Sequence, residues 1–250
     1  MNWGRIRTLI EKQLTQLGAP IETYALDLLG HANRHSSQKE ENAHLALIND
    51  LEKQIQEKSI GPCIALGHSF GLRPLLLLGE KRPELFPYII AEDTSPTISM
   101  TAYTRLKEIL NNAPLPFTSR DEAKSFFDAK YGASSALSRF LHSNIKEKSL
   151  GQHSWRFDHV FLNQLLDEAV KNPLWNQWSN FKGSISIIYG DKSDLISPSL
   201  LTELQSKRPQ DQSNIYKVSN AGHWIHADQP EAFVESVVNV IQKIRTCDRN

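Results

Sequence analysis

The sequence predicts an α/β protein with a mostly parallel sheet flanked by helices, and three observations carry that expectation. Short apolar runs suited to buried strands alternate with longer amphipathic runs over the first hundred residues, and again after residue 181. The pentapeptide Gly67-His68-Ser69-Phe70-Gly71 stands at one strand-to-helix junction, between Pro62–Leu66 and Leu75–Leu78. From 98 to 180 strand signals disappear and helical stretches take over, which reads as an insertion.

Taken in order, residues 3–17 form an amphipathic helix with Ile6, Leu9, Ile10, Leu14 and Leu17 on one face and Gly18 as its stop. Ile21–Leu26 reads as a short strand, followed by the polar loop from Leu28 to Ser37. Residues 41–58 read as a second helix, with Leu47, Ile48, Leu51 and Ile55 inward. After the pentapeptide comes a strand over Phe86–Ala91, running into Glu92-Asp93-Thr94-Ser95-Pro96. The insertion holds helical stretches near 100–112, 120–130, 134–147, 157–171 and 172–180. Ile185–Tyr189 and Asn214–Val218 resume the sheet, and Pro230 opens the last helix. The expected division is therefore a core of 1–97 and 181–250 with a helical cap of 98–180. Phe117, Trp155, Phe157, Trp175 and Trp178 fall in the cap segment, as pocket-lining or as packing residues.

Composition narrows the partners. Lys+Arg and Asp+Glu both number 28, and no long basic block occurs, which argues against a nucleic-acid surface. No apolar run reaches the roughly 18 residues of a membrane span. Charges at Arg5, Arg7, Glu11 and Lys12 interrupt any signal-peptide core. The two cysteines, Cys63 and Cys247, offer no disulfide framework, so the expected location is cytoplasmic. His31, His35 and His68 lack the spacing of a ligand set and no acid cluster accompanies them, so no metal and no cofactor are expected. A nucleotide-binding α/β domain fits the alternation, but a phosphate-binding glycine loop is missing. Oligomeric state is silent at this level.

The chemistry points to a serine nucleophile. A small-x-Ser-x-small turn between strand and helix holds the Ser backbone in a strained conformation and lifts its hydroxyl toward a helix N-terminus. On this reading, Gly67 and Gly71 must both leave room for neighbouring backbone. A nucleophilic Ser needs a base, and the base needs an acid. His223 follows the last strand on the loop Ser219-Asn220-Ala221-Gly222, late in the chain, in the order Ser, acid, His.

These segments resemble the α/β-hydrolase superfamily over nearly the whole chain from Asn2-Trp3 onward. They are Tyr24-Ala25-Leu26-Asp27-Leu28 with Gly30-His31, the pentapeptide, Glu92-Asp93-Thr94-Ser95-Pro96, and Ala221-Gly222-His223-Trp224-Ile225-His226-Ala227. The Asp-x-x-Pro step is similar to the subgroup of YbfF-like and mitochondrial small esterases. That resemblance implies Ser69, Asp93 and His223 as catalytic residues and the Phe70 N–H as an oxyanion donor. Asp194 is the competing acid, since most of the superfamily keeps its acid after the next strand. There the third residue after Gly190 is Ser193, with Asp194 displaced by one, and Gly190-Asp191-Lys192-Ser193 matches the subgroup's Gly-x-x-Ser pattern. Asp27 and Asp191 read as structural.

The resemblance also implies strands that are not visible here. Two antiparallel strands and a third ending in a His-Gly loop should precede the first helix, and that loop supplies the second oxyanion donor. The expectation is a gap between the Ile21–Leu26 strand and the pentapeptide strand, with Met1 an internal methionine of a longer chain. The implied function is hydrolysis of carboxylic esters or thioesters of small or medium acyl groups through an acyl-enzyme. A catalytically impaired scaffold, or another triad chemistry such as carbon–carbon bond hydrolysis, is the alternative.

Overall fold

The computed structural model describes residues 3–32, 34–36, 41–133, 135–208 and 213–247. Met1, Asn2, Asn33 and Ser37, on which parts of the sequence reading drew, lie outside them. The chain divides into two compact units, one of 1–26, 52–97 and 173–250, the other of 27–51 and 98–172.

The first unit is built on a four-stranded sheet of β1 (Ile64–His68), β2 (Tyr88–Glu92), β5 (Ser184–Gly190) and β6 (Ser213–Val218) in the order β1-β2-β5-β6. All three pairings are parallel. β2 and β5 are buried along nearly their whole length, which explains their largely apolar sequences, Tyr-Ile-Ile-Ala and Ile-Ser-Ile-Ile. On one face, α1 (Trp3–Gln16) and α11 (Pro230–Cys247) pack Ile6, Ile10, Leu14, Phe233, Val234, Val237, Val238 and Ile241 against Ile90, Ile188 and Val218. Elsewhere in the unit, α3 (Leu72–Lys81) brings Gly79 so close to Phe181 that an added Cβ would lie 2.7 Å from that ring. The helix α8 (Trp175–Asn180) buries Trp178, whose indole donates to the Leu204 carbonyl of α9 (Pro198–Ser206).

Two sequence expectations need correction. Ile21–Leu26 has no regular secondary structure and joins no sheet. The side chains of α1 take the place of a ladder: Arg7 donates to the Thr23 carbonyl at 2.6 Å, and Glu11 accepts from the Thr23 N–H at 3.1 Å. Among the described residues β1 therefore ends the sheet, with no flanking strand to bound the expected gap.

The second correction lies in the other unit, where strands were not expected. β3 (Ile145–Ser149) and β4 (Gln152–Trp155) form an antiparallel hairpin turning through Leu150-Gly151, with Gly151 at φ +69°. Only the outer residues, Ile145 and Trp155, are buried. The intervening Lys-Glu-Lys and Gln-His-Ser are polar and reach solvent, so no apolar alternation betrayed the ribbon.

Helices make up most of the rest of that unit: α4 (Met100–Asn111), α5 (Arg120–Tyr131), α6 (Ala136–Ser143) and α7 (His159–Lys171). Ser99, Ser119, Ser135 and Asp158 cap them with side-chain oxygens on the backbone N–H three residues on. Trp155 stacks between Phe127 and Phe157 at 5.5 and 4.6 Å, and with Phe117 these rings are buried inside the unit. They are packing residues. The helix α2 (Ala43–Glu57) has residues in both units. The Glu168 carboxylate of α7 accepts from the Ala43 and His44 N–H groups at its start.

Candidate active site

The pentapeptide leaves β1 into a single 3-10 turn, Ser69–Gly71, and then enters α3. Ser69 sits at φ +53°, left-handed backbone that a non-glycine residue adopts at a cost of about 1–3 kcal/mol. Thr94 helps hold it, donating from Oγ1 to the Ser69 carbonyl at 2.8 Å. Gly67 is required as expected, because an added Cβ would lie 2.7 Å from the Gly71 carbonyl carbon. Gly71 is not. It has helical φ −60°, and its Cβ position is open.

Asp93 lies one residue beyond β2 at φ +47°, the same unusual backbone region as Ser69 on the neighbouring strand. Its side chain is fully buried. Oδ1 accepts from the Gly190 N–H at 3.2 Å, and Oδ2 accepts from Ser193 Oγ at 2.6 Å and faces His223 Nδ1 at 2.8 Å. Three polar partners thus converge on this buried carboxylate.

His223 is delivered by the turn after β6. Gly190 makes the approach possible, since a Cβ at this position would lie 2.3 Å from the Ala221 carbonyl oxygen. The two loops are joined by hydrogen bonds from Asp191 N–H to the Val218 carbonyl and from Lys192 N–H to the Ala221 carbonyl. His223 Nε2 then stands 3.0 Å from Ser69 Oγ. The chain Asp93–His223–Ser69 is continuous, with the Nδ1 proton directed at the carboxylate and the Nε2 lone pair at the hydroxyl. Phe70 occupies the centre of the 3-10 turn directly after Ser69.

Asp194, the competing acid, is exposed, and both ring nitrogens of His223 are already engaged by Asp93 and Ser69. Ser193 had appeared in the sequence only as part of a spacing pattern. Here it contacts the acid directly.

A second group of side chains lies behind these residues, and spacing in the sequence gave no sign of it. His68 Nε2 donates to the His223 carbonyl at 2.9 Å, and its ring lies 4.6 Å from that of His223. Burial pushes the His68 pKa down to about 4, so the ring is neutral near pH 7. Glu92 and His226, the latter on α10 (Ile225–Asp228), are buried and hydrogen-bonded to each other, with Trp3 stacked on His226 at 4.9 Å.

Comparison with known proteins agrees with this architecture. The chain is 28% identical over 207 residues to the sn-1-specific diacylglycerol lipase ABHD11 of Mus musculus, covering 78% of this chain and 64% of the mouse protein. It thus spans less than two thirds of that relative's length. Over 202 residues it is 23% identical to esterase YbfF of Escherichia coli K12, covering 77% of this chain and 72% of that protein. The crystal structure of E-2-(acetamidomethylene)succinate hydrolase superposes with a TM-score of 0.76 at 20% identity, over 94% of this chain and 87% of the other. No helix among the described residues is long and apolar enough to cross a membrane. The sequence profile of the alpha/beta hydrolase family matches residues 2–236, and the chain belongs to that family.

Proposed function

We propose that this protein is a serine hydrolase acting on carboxylic esters or thioesters of small or medium acyl groups. The observation that carries the reading is the unbroken relay Asp93 Oδ2–His223 Nδ1 at 2.8 Å and His223 Nε2–Ser69 Oγ at 3.0 Å. Ser69 Oγ attacks the ester carbonyl carbon as its proton passes to His223 Nε2. Asp93 holds the ring in the tautomer that leaves Nε2 free, and stabilises the imidazolium that forms. The Phe70 N–H donates to the developing oxyanion. Collapse expels the alcohol or thiol, which takes the proton from His223. Water then attacks the acyl-enzyme, with His223 again accepting a proton, and the carboxylic acid departs. The names of the relatives, a lipase and an esterase, support ester bonds as the target.

The test is hydrolysis of p-nitrophenyl acetate and butyrate by the wild type and by Ser69→Ala. The reading expects turnover by the wild type and at least about a thousandfold loss in the variant. Equal rates in the two would end this reading, because the hydrolysis would then not pass through Ser69.

A further inference from the structure

The strand ends that carry Ser69 and Asp93 also carry side chains that the proposed reaction does not use. Successive residues of a strand point to opposite faces, so His68 and Glu92 face away from the residues that follow them. The two are direct partners in the β1–β2 register. His226 comes onto the same spot from α10, and one donor atom each from His68, Glu92 and His226 lies within 4.8 Å of the other two.

The hydrogen bonding of this cluster is incomplete. Glu92 Oε1 accepts from the His226 backbone N–H at 3.0 Å and faces its Nδ1 at 2.7 Å, whereas Glu92 Oε2 and His226 Nε2 are buried with no partner. Glu92 is 0% and His226 5% exposed, so water does not answer those atoms cheaply. A carbonyl only accepts, so the bond from His68 Nε2 to the His223 carbonyl fixes the proton on Nε2 and leaves the lone pair on Nδ1. Glu92 Oε2 is thus an unanswered buried acceptor beside two imidazoles, and two imidazoles with one carboxylate are a donor set that suits Zn2+ and its neighbours in the transition series.

We propose that His68, Glu92 and His226 form a binding site for a divalent transition-metal ion of the Zn2+ class. Zinc bonds of about 2.0–2.2 Å require the donor atoms to draw somewhat closer than their widest present separation. The Trp3 ring, stacked on His226, supplies the dry wall usual behind a metal ligand. A cavity of about 140 Å³ lined by Arg5, Ile6, His226, Ala227 and Pro230 reaches His226. Arg5 at its rim is paired with Glu231 at 3.0 Å, which offsets its charge toward an entering cation. The bound ion would also constrain His68, which donates to the His223 carbonyl and lies with its ring tilted 4.6 Å from that of His223, so occupancy should slow hydrolysis. That consequence rests on the proposed function; the binding itself does not.

The experiment is equilibrium dialysis of the full chain against Zn2+, followed by thermal unfolding of the dialysed protein. The triad offers a competing site at His223, so His223→Ala is measured beside the wild type, Glu92→Gln and His68→Asn. The proposal expects about one Zn2+ per chain and a raised Tm in the wild type and in His223→Ala. It expects affinity at least about tenfold weaker in whichever of Glu92→Gln and His68→Asn keeps its circular-dichroism spectrum. No stoichiometric binding to the wild type, unchanged affinity in either folded variant, or loss of binding in His223→Ala would each overturn it. A protein that binds Zn2+ in this pattern yet hydrolyses no ester would leave the site standing and remove only the proposed reaction.

Discussion

Ser193 Oγ donates a 2.6 Å hydrogen bond to Asp93 Oδ2, the same carboxylate oxygen that faces His223 Nδ1. The loop after β5 thus sends a hydroxyl to an acid that directly follows the neighbouring strand, β2. A hydrogen bond to a charged group contributes about 1.5–3 kcal/mol. Ser193→Ala should lower kcat by roughly 10- to 100-fold with little change in KM. Steady-state kinetics on p-nitrophenyl butyrate decide this, and an unchanged kcat would mean that the Gly190 N–H alone suffices.

The choice between acids is the companion prediction. Asp93→Asn removes the charge that holds the His223 tautomer and should reduce kcat by about 10⁴-fold. Asp194→Asn should stay within about twofold of the wild type, because the Asp194 side chain is exposed and both His223 nitrogens are engaged elsewhere. A large loss in Asp194→Asn with a small one in Asp93→Asn would reverse the assignment.

The parallel core and the site's own residues were legible because each left a local mark. β2 and β5 are short apolar runs, and Ser69 is bounded by the glycine its strained turn requires. The misses share a physical cause: contacts that no local pattern encodes. Ile21–Leu26 has a strand's composition, but Arg7 and Glu11 of α1 claim the backbone groups of Thr23 at its centre. The β3–β4 hairpin has a polar sequence because little of it is buried. The His68–Glu92–His226 cluster joins residues far apart in the chain, so spacing never signalled a ligand set. Gly71 looked as necessary as Gly67, yet only Gly67 lies against backbone.

That last contrast is testable. Gly67→Ala places a Cβ 2.7 Å from rigid backbone and should destabilise the fold by about 2 kcal/mol or more, with loss of activity. Gly71→Ala enters open space at helical φ and should leave the urea midpoint unchanged or slightly raised. Equal costs at the two positions would contradict the close approach assigned to Gly67.

Arg208 anchors the segment between α8 and β5. Its guanidinium is buried and donates to the carbonyls of Trp178 and Phe181 at 2.7 and 3.1 Å, and to that of Gly183 at 2.7 Å. Arg208→Met keeps the stem but strands these acceptors. A loss of about 2–4 kcal/mol is expected from urea unfolding. A change below about 0.5 kcal/mol would show that water replaces the guanidinium freely.

Stability should fall on mild acidification. Burial lowers the pKa of His31, and its Nδ1 has no partner. The unfolded chain then takes up a proton near pH 6.5 while the folded ring resists it. The penalty is absent above pH 6.5 and grows as pH falls below it. The urea midpoint should drop between pH 7 and 5.5, and drop less in His31→Asn. Parallel curves for the two proteins would exclude His31 as a source.

The central claim is that Ser69 is a nucleophile activated by His223. Its most direct measurement is the rate at which a fluorophosphonate labels the full chain, followed by intact mass and mapped to a peptide. The account predicts a single adduct on Ser69, formed at least about a hundredfold more slowly in His223→Ala. No adduct on the wild type, or equal labelling rates in the two proteins, would contradict it.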